Sequence, residues 1–247
     1  MKALEVENVV KDFGHLRSLA GVSMKVDQGE RRVILGPNGA GKTTLFHTIR
    51  GVHIVTEGTV RLFGQDVTRL PAHRRVKLGL GGTFQITNLF PELTVFETLF
   101  LGAQALERGC FAFFRPAGWS RKAVSRVREL IDEWDLAPVQ DAFTKELSYG
   151  QQRQLEVILA MTGKPRLLLL DEPTAGLSPA ETASMTRFLS GLSRDMTILL
   201  IEHDMDVAFE VADQVTVLYF GEVLAEGTCA EVQRDGRVRD IYLGQQV

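Results

Sequence analysis

The sequence predicts an α/β fold in which helices cover both faces of a mostly parallel sheet. Apolar strand patterns alternate with helical patterns, a glycine-rich loop follows one buried strand, and a run of four leucines ends in two acidic residues. Parallel strands need crossover connections, usually helices, and a strand covered on both faces has no polar side. With 247 residues, the chain is long enough for one large domain or for a core with a subdomain.

The order of these patterns divides the chain. Residues 3–67 are rich in strand patterns, and residues 94–162 are helical, with a capping-box signal at Thr94 and Glu97. The aromatic residues within 108–119 are interpreted as a loop buried against these helices rather than as a binding patch. Strands and helices then alternate again. The predicted strands are 4–6, 22–26, 32–35, 60–64, 166–171, 197–202 and 214–219, and the last predicted helix is 230–243.

Composition and charge exclude several classes of function. Hydrophobic residues make up 45% of the chain, and a net charge of −3 gives neither a basic nucleic-acid footprint nor a polybasic membrane anchor. Cys110 and Cys229 lack metal-site spacing and are interpreted as two reduced thiols rather than a disulfide, as suits a cytosolic protein. The start lacks a signal-peptide pattern, and no apolar run approaches the roughly 20 residues that span a bilayer. We therefore expect the chain not to cross a membrane by itself, although it can sit against a protein that does.

A phosphate-binding loop pattern follows the strand predicted at 32–35. Its glycines let the backbone wrap close to a ligand, and the N–H groups that start the next helix favour an anion. Lys42 adds a full charge for the β- and γ-phosphates, and the Thr43 hydroxyl is a ligand for Mg²⁺. The alternative is a glycine-rich turn that binds nothing, but the strand, the lysine and the threonine together favour phosphate binding. The loop comprises Gly36, Pro37, Asn38, Gly39, Ala40, Gly41, Lys42 and Thr43.

The second motif is the leucine run 167–170 with the acidic pair that follows it. Ligands bind at the carboxyl ends of strands in open α/β sheets, and Asp171 and Glu172 stand at such an end. Asp171 is predicted to orient Mg²⁺ through its waters, and Glu172 to polarise an attacking water molecule. The alternative is an acidic strand end that only faces solvent, but the phosphate-binding loop upstream favours the catalytic interpretation.

The third motif is Leu147-Ser148-Tyr149-Gly150-Gln151-Gln152, ahead of an apolar-periodic helix. Ser148 is a good N-cap, and the start of the helix offers free N–H groups. Many helix starts share these features, so the motif indicates a function only in combination with the other two motifs.

Together the three motifs resemble those of the ATP-binding-cassette (ABC) ATPases, and the resemblance covers essentially the whole chain. Residues 36–43 are similar to the Walker A loop, residues 167–171 to Walker B, and Ser148, Gly150 and Gln151 to the signature motif. The resemblance implies a P-loop NTPase fold of the ABC type in one domain, 1–247. It also implies an N-terminal antiparallel β subdomain and a helical subdomain at about 94–162, with ATP and Mg²⁺ as ligands.

The same resemblance assigns roles to further residues. Phe13 matches the aromatic residue that stacks on adenine, and Thr44 is placed with the nucleotide-binding residues. Glu172 matches the catalytic glutamate and His203 the switch histidine, which is expected to bind the γ-phosphate and the attacking water. Gln85 matches the glutamine that contacts both Mg²⁺ and this water. The signature residues are expected to bind the ATP held by the opposite subunit of a head-to-tail dimer.

Two positions depart from the family pattern. The signature motif commonly has glycine where this chain has Tyr149, and the family often has aspartate where this chain has Ser178. A tyrosine restricts the backbone more than a glycine does. In the family that aspartate makes a contact across the dimer, and the serine puts this contact in doubt.

The finer resemblance is to the ATPase subunits of branched-chain amino-acid importers, carried by residues 147–152, 175–179, 201–205 and 223–228. Such systems also carry urea, short amides and aromatic acids. The resemblance implies two integral-membrane permease subunits docking near residues 85–101, a second ABC ATPase subunit of the same or another kind, and an indirect solute-binding protein. It implies a peripheral place on the cytoplasmic face of the membrane and no nucleic-acid partner. The alternative is a soluble cassette ATPase that acts as a switch on nucleic acid or ribosomes, but the single cassette and the net charge of −3 favour transport.

Overall fold

A computed structural model describes residues 1–83, 89–106 and 120–243, and two β-sheets form its framework. The strands are β1 Lys2–Phe13, β2 Leu16–Asp27, β3 Arg31–Leu35, β4 Glu57–Leu62, β5 Gln65–Asp66, β6 Leu80–Gly82, β7 Leu167–Asp171, β8 Thr197–Ile201, β9 Gln214–Tyr219 and β10 Glu222–Gly227. The helices are α1 Lys42–Arg50, α2 Ala72–Val76, α3 Val95–Ala105, α4 Arg121–Glu133, α5 Tyr149–Ala160, α6 Pro179–Gly191, α7 Met205–Val211, α8 Cys229–Arg234 and α9 Gly236–Leu243.

The first sheet is antiparallel and has the strand order β2-β1-β4-β5. Its apolar side chains, such as Leu4, Val6 and Val22, are fully buried and pack with the inner face of α1. Strands with one apolar face need such a covering layer, and α1 supplies it with Phe46 and Ile49. The antiparallel sheet therefore packs against α1, the helix that follows the phosphate-binding loop, and helps to fix its position.

The second sheet is mostly parallel and has the order β10-β9-β3-β8-β7-β6. Strand β3 pairs in parallel with β8 and β9, β7 pairs in parallel with β6 and β8, and β10 alone among the described strands of this sheet runs antiparallel to its neighbour. All residues of β3, β7 and β8 are buried, as strands covered on both faces must be. The expected mostly parallel α/β sheet is confirmed. Its parallel strands end at a common edge, where residues from distant parts of the chain meet.

The region predicted to be helical holds α3, α4 and α5, which pack against this sheet in one apolar cluster with Leu168 and Leu170. The capping box at the start of α3 is present: the Thr94 hydroxyl accepts the Glu97 N–H, and the Glu97 carboxylate accepts the Thr94 N–H. Within the described residues, no helix has both the length and the apolar character needed to span a bilayer. The subdomain limits 94–162 stay a prediction.

Four predicted elements differ clearly from the structure. The strands at 4–6 and 22–26 are parts of the much longer β1 and β2. The strand predicted at 60–64 begins earlier and stops at Leu62, because Phe63 and Gly64 form a turn with positive φ. The helix predicted over 230–243 is two helices, α8 and α9. They separate at Asp235, whose carboxylate accepts the Arg237 N–H and so competes with the helical hydrogen bond.

Candidate functional site

The candidate site lies at the carboxyl ends of β3, β7 and β8. The loop at 36–41 joins β3 to the start of α1, Asp171 is the last residue of β7 with Glu172 directly after it, and His203 follows β8 by two residues. Because β3 pairs with β8 and β8 with β7, these three chain segments meet although they are far apart in sequence. The structure therefore brings the Walker A, Walker B and switch residues to one edge of the sheet.

The phosphate-binding loop requires glycine at two positions. Gly36 has φ 151° and Gly41 has φ 99°, conformations that L side chains rarely adopt. A Cβ atom on Gly41 would lie 2.7 Å from the Ser18 carbonyl oxygen, and one on Gly36 would overlap the Leu218 carbonyl oxygen. The backbones of β2 and β9 thus approach the loop closely and fix its path. The loop ends at the first turn of α1.

Lys42 is buried at the start of α1 and its charge lies inside the loop. Its Nζ atom donates to the Gly36 carbonyl at 2.6 Å and to the Pro37 carbonyl at 3.1 Å. Burial lowers the pKa of Lys42, and the charges of Glu172 and Asp171 act in the opposite direction. The ammonium group is thus held where the loop N–H groups also concentrate positive charge.

Asp171 is only 1% exposed, and neither of its carboxylate oxygens has a hydrogen-bond partner among the described residues. Burial raises its pKa, while the charge of Arg50 lowers it. A buried carboxylate with both oxygens unused fits Mg²⁺, which prefers oxygen ligands and usually binds through few carboxylates. The Thr43 hydroxyl, in the first turn of α1, adds another oxygen of the right chemistry. The residues present therefore fit the Mg²⁺ ion that the sequence resemblance implies.

Glu172 and His203 contact each other directly. The His203 Nε2 atom lies 2.6 Å from the Glu172 Oε1 atom, and both side chains reach solvent, the imidazole more than the carboxylate. Glu172 has φ 49°, an uncommon value for a residue with a side chain, and its N–H donates to the Ile201 carbonyl at 3.0 Å. Strained backbone of this kind is found at functional sites when the surroundings hold it in place.

Two residues near this pair carry no function in the sequence-based predictions. The buried Glu202 accepts the Thr174 hydroxyl at 2.7 Å and the His203 N–H at 3.2 Å, and burial raises its pKa. Arg153, on α5, donates from Nη2 to the Glu172 carbonyl and pairs through Nη1 with Glu156, each at 3.1 Å. The only sequence signals are that Arg153 is a charge within an apolar-periodic helix and that Glu202 is a charge directly after an apolar strand.

The signature residues lie at the start of α5. Ser148 caps this helix by accepting the Gln151 N–H, and the Gln151 side chain accepts the Ser148 N–H in return. The Gly150 N–H donates to Glu181 on α6. Among the described residues, no hydrogen bond joins the signature residues to the loop at 36–44.

The other predicted site residues lie around the loop. Phe13, 42% exposed, ends β1 and meets the ring of His53 edge-on at 5.1 Å. Thr44 shares a 2.8 Å hydrogen bond with Ser18 of β2, a contact the sequence did not indicate. Gln85 lies outside the described residues, as does the aromatic segment 108–119.

This geometry defines the class of protein: an α/β P-loop nucleotide hydrolase with a lysine, a buried aspartate and an adjacent glutamate at one sheet edge. The sequence profile of the ABC transporter family matches residues 19–175, well over half of the chain. The chain belongs to this family, and it is an ATPase.

Comparisons with individual proteins give a finer similarity. The chain is 35% identical to the high-affinity branched-chain amino acid transport ATP-binding protein BraF of Pseudomonas aeruginosa, over 98% of both chains. It is 31% identical to the lipopolysaccharide export system ATP-binding protein LptB of Haemophilus influenzae, over 100% of this chain and 99% of that one.

Solved structures agree with the fold. A nucleotide-free cassette from an ABC transporter has a TM-score of 0.88 and 29% identity, covering 98% of this chain and 99% of its own. A dimeric cassette in a post-hydrolysis state, bound to ADP and phosphate, has a TM-score of 0.74 and 26% identity, covering 92% and 98%.

Proposed function

We propose that this chain is the ATP-hydrolysing subunit of a membrane importer for branched-chain amino acids or a related small solute such as urea, an amide or an aromatic acid. The observation that carries the proposal is the 35% identity, over 98% of both chains, to a branched-chain amino-acid transport ATPase. The similarity to a lipopolysaccharide export ATPase is somewhat lower, at 31%. The motifs at 147–152 and 175–179 support the importer assignment.

The arrangement of charges suggests how the chain hydrolyses ATP. Phe13 stacks on the adenine, and the loop N–H groups with Lys42 bind the phosphates. Asp171, Thr43 and Gln85 would hold Mg²⁺, and the bound ion would neutralise charge on the phosphates. Glu172 takes a proton from the attacking water, and His203, held 2.6 Å from it, orients the water and the γ-phosphate.

We also propose that ATP closes a dimer with a second cassette, the same chain or a different one. Ser148 and Gln151 are exposed at the start of α5, whereas Gly150 is buried and donates its N–H to Glu181. Among the described residues, none of the three is hydrogen-bonded to the loop at 36–44, so the exposed pair is available to a partner's ATP. The dimeric post-hydrolysis cassette among the similar structures supports such an assembly. Loss of the γ-phosphate removes a contact that favours the closed dimer, and this couples hydrolysis to opening.

The membrane subunits would dock in a groove beside β6, the last strand in the order of the parallel sheet. The groove has a volume of about 1060 Å³ and lies between β6 and helices α3 and α5. Three large apolar side chains line the groove and are exposed: Phe90 by 60%, Leu101 by 43% and Leu106 by 45%. A face covered within the subunit would leave less apolar surface exposed. The groove overlaps the segment 85–101, where the sequence places the permease contacts. The chain would then lie on the cytoplasmic face of the membrane.

The catalytic assignment is tested with Glu172→Gln. We expect this variant to bind ATP as the wild type does and to turn over about 10²–10⁴ times more slowly, which is the usual contribution of a general base. Steady-state ATPase assays and calorimetric titration of ATP measure the two quantities separately. Near wild-type turnover would show that another group takes the proton.

The transport assignment is tested by purifying the chain with its partners from detergent-solubilised membranes of its own cell. Two multi-span membrane proteins in the complex, with or without a second cassette, would support the importer. A neighbouring solute-binding protein would then identify the solute class. Recovery of ribosomes or nucleic acid without membrane proteins would support the alternative, a soluble switch.

A further inference from the structure

Two loops near the site are joined by one carboxylate, Glu181. Its Oε1 atom accepts the Gly150 N–H of the signature loop at 3.1 Å. Its Oε2 atom accepts the Ser178 N–H at 3.0 Å and the Ser178 hydroxyl at 2.7 Å. Glu181 therefore caps α6 and at the same time ties the start of α5 to the loop at 175–178.

A second contact reinforces this connection. The Tyr149 ring packs against Gly176, where an added Cβ atom would lie 3.3 Å from the tyrosine Cε1 atom. The Tyr149 hydroxyl lies 3.5 Å from the Ala175 carbonyl oxygen. The two residues that depart from the family pattern, Tyr149 and Ser178, thus meet at the same connection.

The hydrogen bonds on Glu181 use both of its oxygens as acceptors, which only an ionised carboxylate can provide fully. Bonds from Ser178, and then from Gly150, lower the pKa of Glu181 below its ordinary value. The connection is therefore intact at neutral pH.

We propose that Glu181 is a positioning residue that holds the signature loop and the loop at 175–178 as one unit toward the second subunit. This rests on the proposed function, in which the signature residues bind the partner's ATP. The serine at 178 cannot make the carboxylate contact usual in the family. It instead donates two hydrogen bonds to Glu181, so the position of the 175–178 loop is set by the signature helix.

Glu181→Gln separates positioning from helix capping. Glutamine is accepted at this place in a capping box, so α6 keeps its cap. Its single amide oxygen cannot serve both loops, and the amide N–H₂ then faces the Gly150 N–H, donor against donor. The matched control is Glu231→Gln. Glu231 caps α8 through Thr228 in the same way, at 2.7 and 2.8 Å, and lies outside the site.

The measurement is ATP-dependent dimer formation by analytical ultracentrifugation, in a Glu172→Gln background that accumulates bound ATP. We expect Glu181→Gln to raise the dimer Kd about five- to thirtyfold, the effect of losing one hydrogen bond to a charged group and opposing two donors. The ATP Kd of the single subunit and the thermal midpoint should stay close to those of the control.

Each other outcome has a definite meaning. An unchanged dimer Kd in Glu181→Gln, or an equal change in Glu231→Gln, would overturn the positioning role alone. A Glu172→Gln parent that binds ATP but forms no dimer would instead contradict the dimer in the proposed function. The two failures are therefore distinguishable.

Discussion

At the residue scale, the buried carboxylate of Asp171 lowers the stability of the folded protein. Asp171 is buried, and its carboxylate oxygens have no hydrogen-bond partner among the described residues. The charges of Arg50, Lys42 and Arg153 offset only part of the cost of burial, because the pKa of Asp171 is still raised. A buried carboxylate without hydrogen bonds lowers the stability of the ligand-free protein and leaves both oxygens available to a metal ion. Residues selected for ligand binding commonly carry such a cost.

We expect Asp171→Asn to stabilise the ligand-free protein and to abolish ATP hydrolysis. Neutralising the side chain removes the desolvation penalty, and a gain of about 1 kcal/mol raises the Tm by about 2–4 °C in a chain of this size. Thermal unfolding without Mg²⁺ or nucleotide measures the gain. Added Mg²⁺ and ATP should stabilise the wild type much more than the variant. The exposed Asp195→Asn is the control, and a lower Tm in Asp171→Asn would contradict the argument.

The sign of the pH dependence follows from the raised pKa of Asp171. Since the folded-state pKa lies above the unfolded value, about 3.9, the folded state favours the protonated carboxyl. The penalty is absent below the unfolded pKa and is fully present above the folded one. The Tm difference between Asp171→Asn and the wild type should therefore be largest near neutral pH and shrink on acidification.

A change at Arg153 tests whether α5 positions Glu172, the proposed catalytic glutamate of its own subunit. In Arg153→Lys the ammonium can keep the pair with Glu156 but cannot also reach the Glu172 carbonyl. We expect kcat to fall about fivefold, the factor for one hydrogen bond of about 1 kcal/mol, with little change in the ATP Kd.

The control is Arg126→Lys on α4, because Arg126 likewise combines a carboxylate, Glu129, with backbone carbonyl contacts, at Met161 and Thr162. Steady-state kinetics should show no change in this variant. A loss of ATP affinity in Arg153→Lys with kcat preserved would assign Arg153 to binding and not to the alignment of Glu172.

At the element scale, the start of α3 supports one wall of the groove in which the membrane subunits are proposed to dock. Its capping box joins Thr94 to Glu97, and β-type pairing joins Thr94 to Phe143. We expect Thr94→Ala to cost about 1 kcal/mol and to lower the Tm by about 2–4 °C. Thr228→Ala removes the same cap from the short α8 and should lower the Tm less. Equal effects, measured by calorimetry, would show that the position of the cap does not matter.

Elements and site residues were predictable where the signal is local. The loop at 36–43, the strand with Asp171 and the capping box of α3 each follow from residues within a few positions of one another. The break between α8 and α9 was missed because the helical periodicity continues across it, and only the Asp235 side-chain hydrogen bond interrupts it. Short β6 has three residues and no period to detect.

The contacts that align the site were not predictable, because they join residues far apart in the chain. Glu181 and Gly150 are 31 positions apart, and Glu202 and Thr174 are 28 apart. Such distances are bridged by the packing of helices and strands, and no spacing rule relates the partners. A charge inside an apolar pattern signals burial, but it does not name the group that will satisfy it.

At the scale of the whole molecule, the proposed dimer depends on the exposed N-cap of α5. We expect Ser148→Arg, in the Glu172→Gln background, to leave ATP binding by the single subunit unchanged and to prevent ATP-dependent dimers. A long charged side chain at that place would occupy the space where the proposed dimer places the partner's phosphates. Size-exclusion chromatography with ATP distinguishes the two forms. Ser120→Arg changes the N-cap of α4 and controls for loss of a cap. Dimers that persist in Ser148→Arg would contradict the dimer interface.

The place of β3 in the central sheet has a consequence for biosynthesis. Both neighbours of this strand, β8 and β9, lie more than 160 residues later in the chain. At about 5–20 residues per second, a ribosome needs roughly 10 s or more to supply them. Until then β3, with its apolar residues Val33, Ile34 and Leu35, has no neighbouring strands, and the loop after it has no fixed conformation. Nascent chains that end before β9 would therefore expose an unpaired, aggregation-prone strand and bind no nucleotide. Such chains would be substrates for chaperones and proteases.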